Sequence, residues 1–146
     1  YYTAYMNALS ANFTTEAGMF YDGLKFTVQA NPMLKIGTGF DLGLTYRFDH
    51  VDFSARSVKF TNHIAGFKGV MTLTTKISLS AFVQYNTAIN KVVANARLRY
   101  NPREGNDFYI VYDDMQNTHL NREFPALPHT DGRTILLKYT HTFRIN

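Results

Sequence analysis

Two arginines, Arg97 and Arg99, are the residues best suited to chemistry, because they alternate with apolar residues in extended sequence. In a β-strand, residues two apart point to the same face. Guanidinium groups held inside a protein require carboxylate partners, and we expect these to be Asp41, Glu16 and Asp113. We interpret the pair either as part of a structural ion-pair network or as a selectivity element for anionic solutes.

Other chemistry has little support in the sequence. His50 and Asp52 lie close together, but two ligands do not make a metal site. Ser78 or Ser80 could meet His63 on a neighbouring strand as nucleophile and base, yet nothing in their spacing favours such a pair. We therefore expect no catalytic residue, no cofactor and no metal.

Carboxylates are frequent in one irregular segment near the C-terminal end and raise the question of calcium binding. They are Asp113, Asp114, Glu123 and Asp131. Their spacing does not follow the ordered pattern of a calcium loop, so we interpret the segment as a solvated polar loop.

The composition limits the class of protein. The 146 residues suffice for a single domain over residues 1–146, and the net charge of +4 is dispersed, which argues against nucleic-acid binding. Cysteine is absent, which excludes disulfides and thiolate sites, and no apolar run is long enough for a transmembrane helix. The sequence begins at Tyr1, and we expect it to be a processed chain or the tail end of a longer one.

Apolar and polar residues alternate along most of the chain, which predicts an all-β fold. We predict strands at about Thr3–Phe20, Leu24–Ala30, Leu34–Asp49, Val58–Leu73, Ile77–Tyr85, Val92–Tyr100, Phe108–Asp113 and Thr134–Arg144. Asn31-Pro32 predicts a turn, a loop of about ten residues follows the third strand, and Asp114–Gly132 forms the longest loop.

The predicted connections are short turns after the second, fourth and sixth strands and long loops after the third and seventh. An antiparallel meander with turns at one end and loops at the other is typical of outer-membrane β-barrels. About eight strands would form the barrel, or they are the last strands of a larger one. Eight strands that close alone leave no aqueous channel.

Three features favour lipid as the neighbour of the apolar half of each strand. Glycines occupy polar positions, as in a crowded interior. Two predicted stretches, Leu34–Phe48 and Val58–Leu73, exceed the 9–11 residues that span a bilayer. Aromatic residues mark both strand ends. The residues expected to face lipid are Leu34, Ile36, Phe40, Leu42, Leu44, Leu79, Val83, Leu98 and Leu137. Those expected in a polar lumen are Arg97, Arg99, Arg47, Asp41, Lys35, Asp113 and Glu16. Those expected in aromatic bands are Tyr21, Tyr46, Phe48, Tyr85, Tyr100, Phe108, Tyr112 and Phe143.

The same alternation fits a soluble β-barrel or sandwich that encloses a hydrophobic ligand. In that alternative, Phe40 and Leu42 point into a protein interior, and the polar half of each strand faces water.

One stretch, SAFVQYNTAINKVVANARLRYNPREGNDFYIVYDD, carries a resemblance to a known family. Together with the Phe20–Gly23 turn and the closing Leu137-Lys138-Tyr139, it resembles the C-terminal β-barrel region of a family of large outer-membrane proteins of unknown function from Bacteroidetes-type Gram-negative bacteria. Intact members carry an N-terminal carbohydrate-binding-like domain, which is absent from this sequence.

The resemblance implies a location in the bacterial outer membrane, among its lipids and lipopolysaccharide, with other outer-membrane or periplasmic subunits as further candidate partners. A glycan partner follows from the family association alone. We expect the chain to act as a membrane anchor or as part of a pore, with long extracellular loops for recognition.

Cysteine scanning along residues 34–49 tests the assignment of the two faces, because the chain has no native cysteine. We expect single cysteines at even positions to react with lipid-soluble thiol reagents and those at odd positions with water-soluble ones. Even positions inert to both reagents would favour the soluble alternative.

Overall fold

Extended backbone dominates the computed structural model, which describes residues 8–142. The strands are β1 (Leu9–Phe20), β2 (Gly23–Ile36), β3 (Phe40–Phe53), β4 (Val58–Thr74), β5 (Ile77–Asn86), β6 (Lys91–Arg103), β7 (Asn106–Asn117) and β8 (Thr130–His141). Short 3-10 segments at Ser54–Arg56 and Leu120–Arg122 interrupt two connections. Within residues 8–142, no helix has the length and hydropathy needed to cross a membrane.

The eight strands form one antiparallel sheet in which each strand pairs with its neighbours in the sequence. The predicted all-β antiparallel meander is therefore confirmed. The predicted closure into a barrel is not present in the described part of the chain, since β1 and β8 are the two edges of the sheet. The sequence pattern fixes which strands are neighbours, whereas closure depends on the tilt and stagger of the whole sheet.

The predicted third strand is wrong, because the stretch 34–49 is divided between two strands. β2 runs through the predicted Asn31-Pro32 turn to Ile36, and the chain reverses at residues 37–39, where Gly37 has a φ of +61°. Leu34 then pairs with Leu42 and Ile36 with Phe40. This register keeps even-numbered residues on one face across the turn, so the alternation continues as if in one strand.

Pro32 is accommodated inside β2 although it lacks an N–H group. The bridges between β2 and β3 pass from Ala30–Tyr46 to Met33–Gly43, without a bridge at Pro32 itself. A proline in a strand is tolerated where its missing donor interrupts little of the ladder.

Two predicted loops are shorter in the structure than in the sequence analysis. β3 continues through His50 and Asp52 to Phe53, so the connection after it is residues 54–57. β7 extends to Asn117 and β8 begins at Thr130, which leaves residues 118–129 as the long loop. We call the end of the sheet that carries this loop the loop end, and the opposite one, with connections 37–39, 75–76 and 104–105, the turn end. Residues 3–7 and 143–144 of the predicted strands lie outside the described residues.

Over residues 8–142, the sheet is a single layer without a hydrophobic core. The accessible surface of the chain is 10813 Å², whereas a compact monomer of 16.7 kDa exposes about 7,600 Å² by the usual scaling. Val51 is the one large hydrophobic residue that the described part of the chain buries. The backbone ladders, rather than a packed interior, therefore hold the described strands together.

Gly23 offers a test of the packing at the start of β2. A methyl group there would lie 2.5 Å from the Asp52 carbonyl oxygen and 2.8 Å from Phe53 Cδ1, whereas one at Gly18 would meet nothing within 4 Å. We expect Gly23→Ala to destabilise the folded chain by about 1–3 kcal/mol, because overpacking displaces the backbone. Gly18→Ala, the matched control, should be neutral or stabilising by up to about 1 kcal/mol.

The free energies of unfolding can be measured by urea titration in detergent micelles, followed by far-ultraviolet circular dichroism. Equal stability of the two variants would contradict the close approach of β2 and β3 at this point.

Candidate functional site

The register of the sheet sorts the strand residues onto two chemically different faces. All nine residues expected to face lipid lie on one of them, which we call the apolar face. They are Leu34, Ile36, Phe40, Leu42, Leu44, Leu79, Val83, Leu98 and Leu137. The opposite, polar face carries all seven predicted lumen residues, Glu16, Lys35, Asp41, Arg47, Arg97, Arg99 and Asp113. The contact of the first set with lipid and of the second with a lumen stay predictions.

Burial is inverted relative to a water-soluble sheet. Thr27, Asp49 and Asn62, with relative exposures of 3%, 9% and 7%, lie on the polar face. On the apolar face Leu44 is 53% and Leu137 64% exposed. In water such an arrangement exposes the groups that gain most from burial, so the apolar face requires a non-aqueous neighbour.

The apolar face has a sharp limit near the loop end, which we call the loop boundary. It falls after Met19 on β1, Phe48 on β3, Tyr85 on β5, Tyr112 on β7 and Ile135 on β8. Beyond it, Asp52 pairs with Lys59 at 3.0 Å and Arg133 with Asp114 at 3.2 Å. On β7 and β8 the apolar stretch is shorter than on β3.

The loop boundary is inclined relative to the rows of directly opposite residues that run across the sheet from strand to strand. Through three intervening strands, the register places Tyr112 opposite Leu42, while the apolar residues of β3 continue six positions further to Phe48. At about 3.3 Å per residue and 4.8 Å between strands, six residues over four strand spacings correspond to about 45°. Strands of membrane barrels are tilted by about 35–45°.

Four predicted aromatic residues, Tyr46, Phe48, Tyr85 and Tyr112, lie along the loop boundary. Tyr21 is in the β1–β2 turn instead, 84% exposed and edge-on to Phe20. At the turn end, Tyr100 and Phe108 pair across β6 and β7, and Tyr139 pairs with Phe108. Tyr139 was not among the residues predicted for the aromatic bands, although it continues the alternation of Leu137. Phe143 lies outside the described residues.

Histidines lie on the apolar face at the loop boundary. The Tyr46 hydroxyl and His63 Nδ1 are 2.8 Å apart, and His50 Nδ1 lies 3.0 Å from the Thr61 hydroxyl. The His50 ring also stacks on Phe48 with ring centroids 6.3 Å apart. These rings combine an apolar body with a satisfied polar atom, which suits an interface between two solvents.

The position of His63 excludes a catalytic pair between His63 and Ser78 or Ser80. His63 is opposite Phe48 on the apolar face, whereas Ser78 and Ser80 are opposite Arg99 and Arg97 on the polar face. A base on the other side of the sheet cannot accept a proton from either hydroxyl.

The best satisfied charge cluster is on the polar face between β2 and β3. Arg47 Nε donates to Asp49 at 2.9 Å and 3.1 Å, and its NH2 group donates at 2.9 Å. The Thr27 hydroxyl donates to the same carboxylate at 2.7 Å. The buried Asp49 carboxylate is therefore fully engaged, which makes this cluster a structural element.

The two predicted arginines differ in their surroundings. Arg99 pairs with Asp107 at 2.8 Å rather than with any of the three carboxylates expected from the sequence. Asp113 instead accepts a hydrogen bond from Asn95 at 2.5 Å. The side chain of Arg97 has no hydrogen-bond or ion-pair partner among residues 8–142. Arg99 is therefore held by a carboxylate, whereas the Arg97 guanidinium group is free to contact a ligand.

The loop of residues 118–129 is tied to the sheet. Asn117 is only 1% exposed. Its side-chain amide donates a hydrogen bond to the Pro128 carbonyl oxygen at 2.9 Å, and its backbone N–H donates one to the His129 carbonyl oxygen at 2.9 Å. Arg122 donates to the Ile89 carbonyl on the neighbouring connection. The two connections therefore form one ordered surface at the loop end.

The carboxylates considered for calcium are engaged elsewhere. Asp114 pairs with Arg133 and Asp131 with Lys91, while Asp113 points to the opposite face from Asp114. In the described range, no three His, Asp or Glu side chains are grouped as a metal site would require.

Comparisons with protein-family models, with curated proteins and with solved structures found no match to this chain. The resemblance carried by residues 80–114 therefore stays a prediction, and the site has to be interpreted from its own geometry.

Asp49→Asn tests whether the charge cluster stabilises the sheet. Because the variant weakens the charge-assisted hydrogen bonds from Arg47 and Thr27, we expect a loss of about 1–3 kcal/mol in the free energy of unfolding. Asp52→Asn is the control, since its partner Lys59 is 68% exposed, and such pairs contribute less than about 1 kcal/mol. Urea unfolding in detergent micelles measures both, and equal losses would contradict the structural role of Asp49.

Proposed function

We propose that this chain is a section of a bacterial outer-membrane β-barrel that serves as a membrane anchor or as part of a pore. Its apolar face contacts lipid, and its polar face lines an aqueous interior. The observation that carries the proposal is the inverted burial, in which Asp49 and Thr27 are covered while Leu44 and Leu137 are exposed. This is the order that lipid outside and water inside would require.

The slope of the loop boundary supports the same function. A bilayer surface is flat. When strands cross it at about 45°, residues that are directly opposite each other on neighbouring strands lie at different depths. The change from apolar to polar residues should therefore occur at a different register position on each strand. Phe48 and Tyr112 show this displacement. The strands, of 10 to 17 residues, are also long enough for such a crossing.

The free edges of β1 and β8 set a requirement for the proposal. Hydrocarbon offers no hydrogen-bond partner to an unpaired strand. In the membrane the two edges therefore pair with each other or with further strands of a larger barrel. The larger barrel is the case in which an open channel exists.

The loop end would face the cell exterior and present the surface for recognition. It carries the long loop 118–129, with Phe124 fully exposed at its surface. The charged residues beyond the loop boundary, Lys59 and Arg133 among them, would meet lipid headgroups and lipopolysaccharide.

Single tryptophans inserted into the full chain test the proposal, because the native sequence has none. Positions 42 and 112 lie in the same row of opposite residues across the sheet. The strand tilt nevertheless places the Leu42→Trp side chain deep in the bilayer and the Tyr112→Trp side chain at its surface. In liposomes we expect lipids brominated in the middle of the acyl chain to quench the Leu42→Trp variant more strongly than the Tyr112→Trp variant. Phe48→Trp should match Tyr112→Trp in depth.

Val70→Trp, on the polar face opposite Asp41, is the matched control and should escape quenching by lipid. Absence of quenching at all four positions would overturn the membrane proposal. Equal quenching of the Leu42→Trp and Tyr112→Trp variants would contradict the tilt.

A further inference from the structure

Arg97 lies between two adjoining grooves on the polar face near the turn end. One, of about 300 Å³, lies over β4–β7 and includes Ser78, Ser80 and Tyr109. The other, of about 530 Å³, lies over β6–β8 and includes Tyr109, Asp107 and Lys138. Arg97 and Tyr109 line both grooves, so the two grooves adjoin at these side chains, and we treat them together as one depression.

The depression has an excess of positive charge. Arg97, Arg99 and Lys138 contribute three cations against the single carboxylate of Asp107. That carboxylate is already occupied, since Arg99 Nε donates to it at 2.8 Å and Asn101 at 3.1 Å. Among residues 8–142, neither Arg97 nor Lys138 has a carboxylate partner.

Hydroxyl groups surround the unpaired cations. The register places Ser80 directly opposite Arg97 and Tyr109 opposite Lys138, and Thr140 lines the same depression. Guanidinium, ammonium and hydroxyl groups all donate hydrogen bonds, and they favour ligands with several charged acceptor oxygens.

We propose that this depression, defined by Arg97, Ser80, Tyr109 and Lys138, binds the phosphate or carboxylate group of a small solute. The proposal rests on the proposed function, in which the polar face lines water. It assigns to Arg97 the role of ligand contact, whereas Arg99 is held by Asp107.

Inorganic pyrophosphate is the probe, titrated into the full chain in neutral detergent micelles and followed by isothermal calorimetry. We expect the Arg97→Gln variant to bind about tenfold more weakly, because it removes a charge-assisted bidentate contact. Ser80→Ala should weaken binding about threefold without a change of charge. High salt should weaken binding to the native chain.

Lys25→Gln is the matched control, since it removes the same charge from the same face at the loop end, where Lys25 lies over the Phe20 ring. Its affinity should equal that of the native chain. Should Arg97→Gln fail to fold, as judged by circular dichroism, Arg97→Lys keeps the charge and should lose the bidentate part of the affinity. Native-like affinity in Arg97→Gln and Ser80→Ala, or equal losses in Arg97→Gln and Lys25→Gln, would overturn the proposal.

The failure of the membrane proposal is distinguishable from the failure of this one. Lipid quenching with native-like pyrophosphate binding in Arg97→Gln would overturn the anion site alone. Absence of lipid quenching, together with the expected loss of affinity in Arg97→Gln, would support the anion site and overturn the membrane assignment.

Discussion

The continuous backbone ladder from β1 to β8 is the constraint on which the rest of the structure depends. The described chain has no packed core, so seven antiparallel pairings hold the strands in place. Because side chains alternate strictly, a slip of one residue in the pairing of any strand would move each of its side chains to the opposite face of the sheet. The register therefore determines which residues are exposed, which charges meet, and where the loop boundary lies. In hydrocarbon the same ladder would be stronger still, since unpaired backbone groups have no water to replace it.

The polar face has two chemically different halves. Between β2 and β3, Asp49 is saturated by donors from Arg47 and Thr27, which leaves little capacity for a ligand. Between β5 and β8, Asp107 satisfies Arg99 while Arg97 and Lys138 remain available. A single sheet thus combines a region in which charge fixes the fold with a region in which charge is left over for binding.

The sequence predicted the strand content and the faces well, because both follow from alternation alone. Period-two patterns gave eight antiparallel neighbours and assigned residues such as Leu42 and Arg97 to opposite sides. The same pattern was misleading at Gly37, because a three-residue connection preserves the parity of the residue numbers and hides the turn. Pro32 was equally misleading, since a proline breaks a strand only where its missing donor is needed.

The partners of the arginines were harder to predict from the sequence. Asp107 lies near the start of β7 on the same face as Tyr109, which is directly opposite Arg99, so it is the diagonal neighbour of Arg99. The predicted strand began only at Phe108, which left Asp107 outside it. The tilt of the loop boundary is also invisible in the sequence, since it requires the cross-strand positions of Phe48 and Tyr112. Closure of the sheet depends on whether the edge strands β1 and β8 pair, and the alternation within each strand carries no information about that pairing.

The two edge strands run in opposite directions, because β1 and β8 are separated by an odd number of antiparallel reversals. A ring in which every neighbour is antiparallel alternates in direction all the way round. Any strands inserted between β8 and β1 to complete such a ring must therefore come in pairs, as whole hairpins. An odd strand would leave one parallel seam.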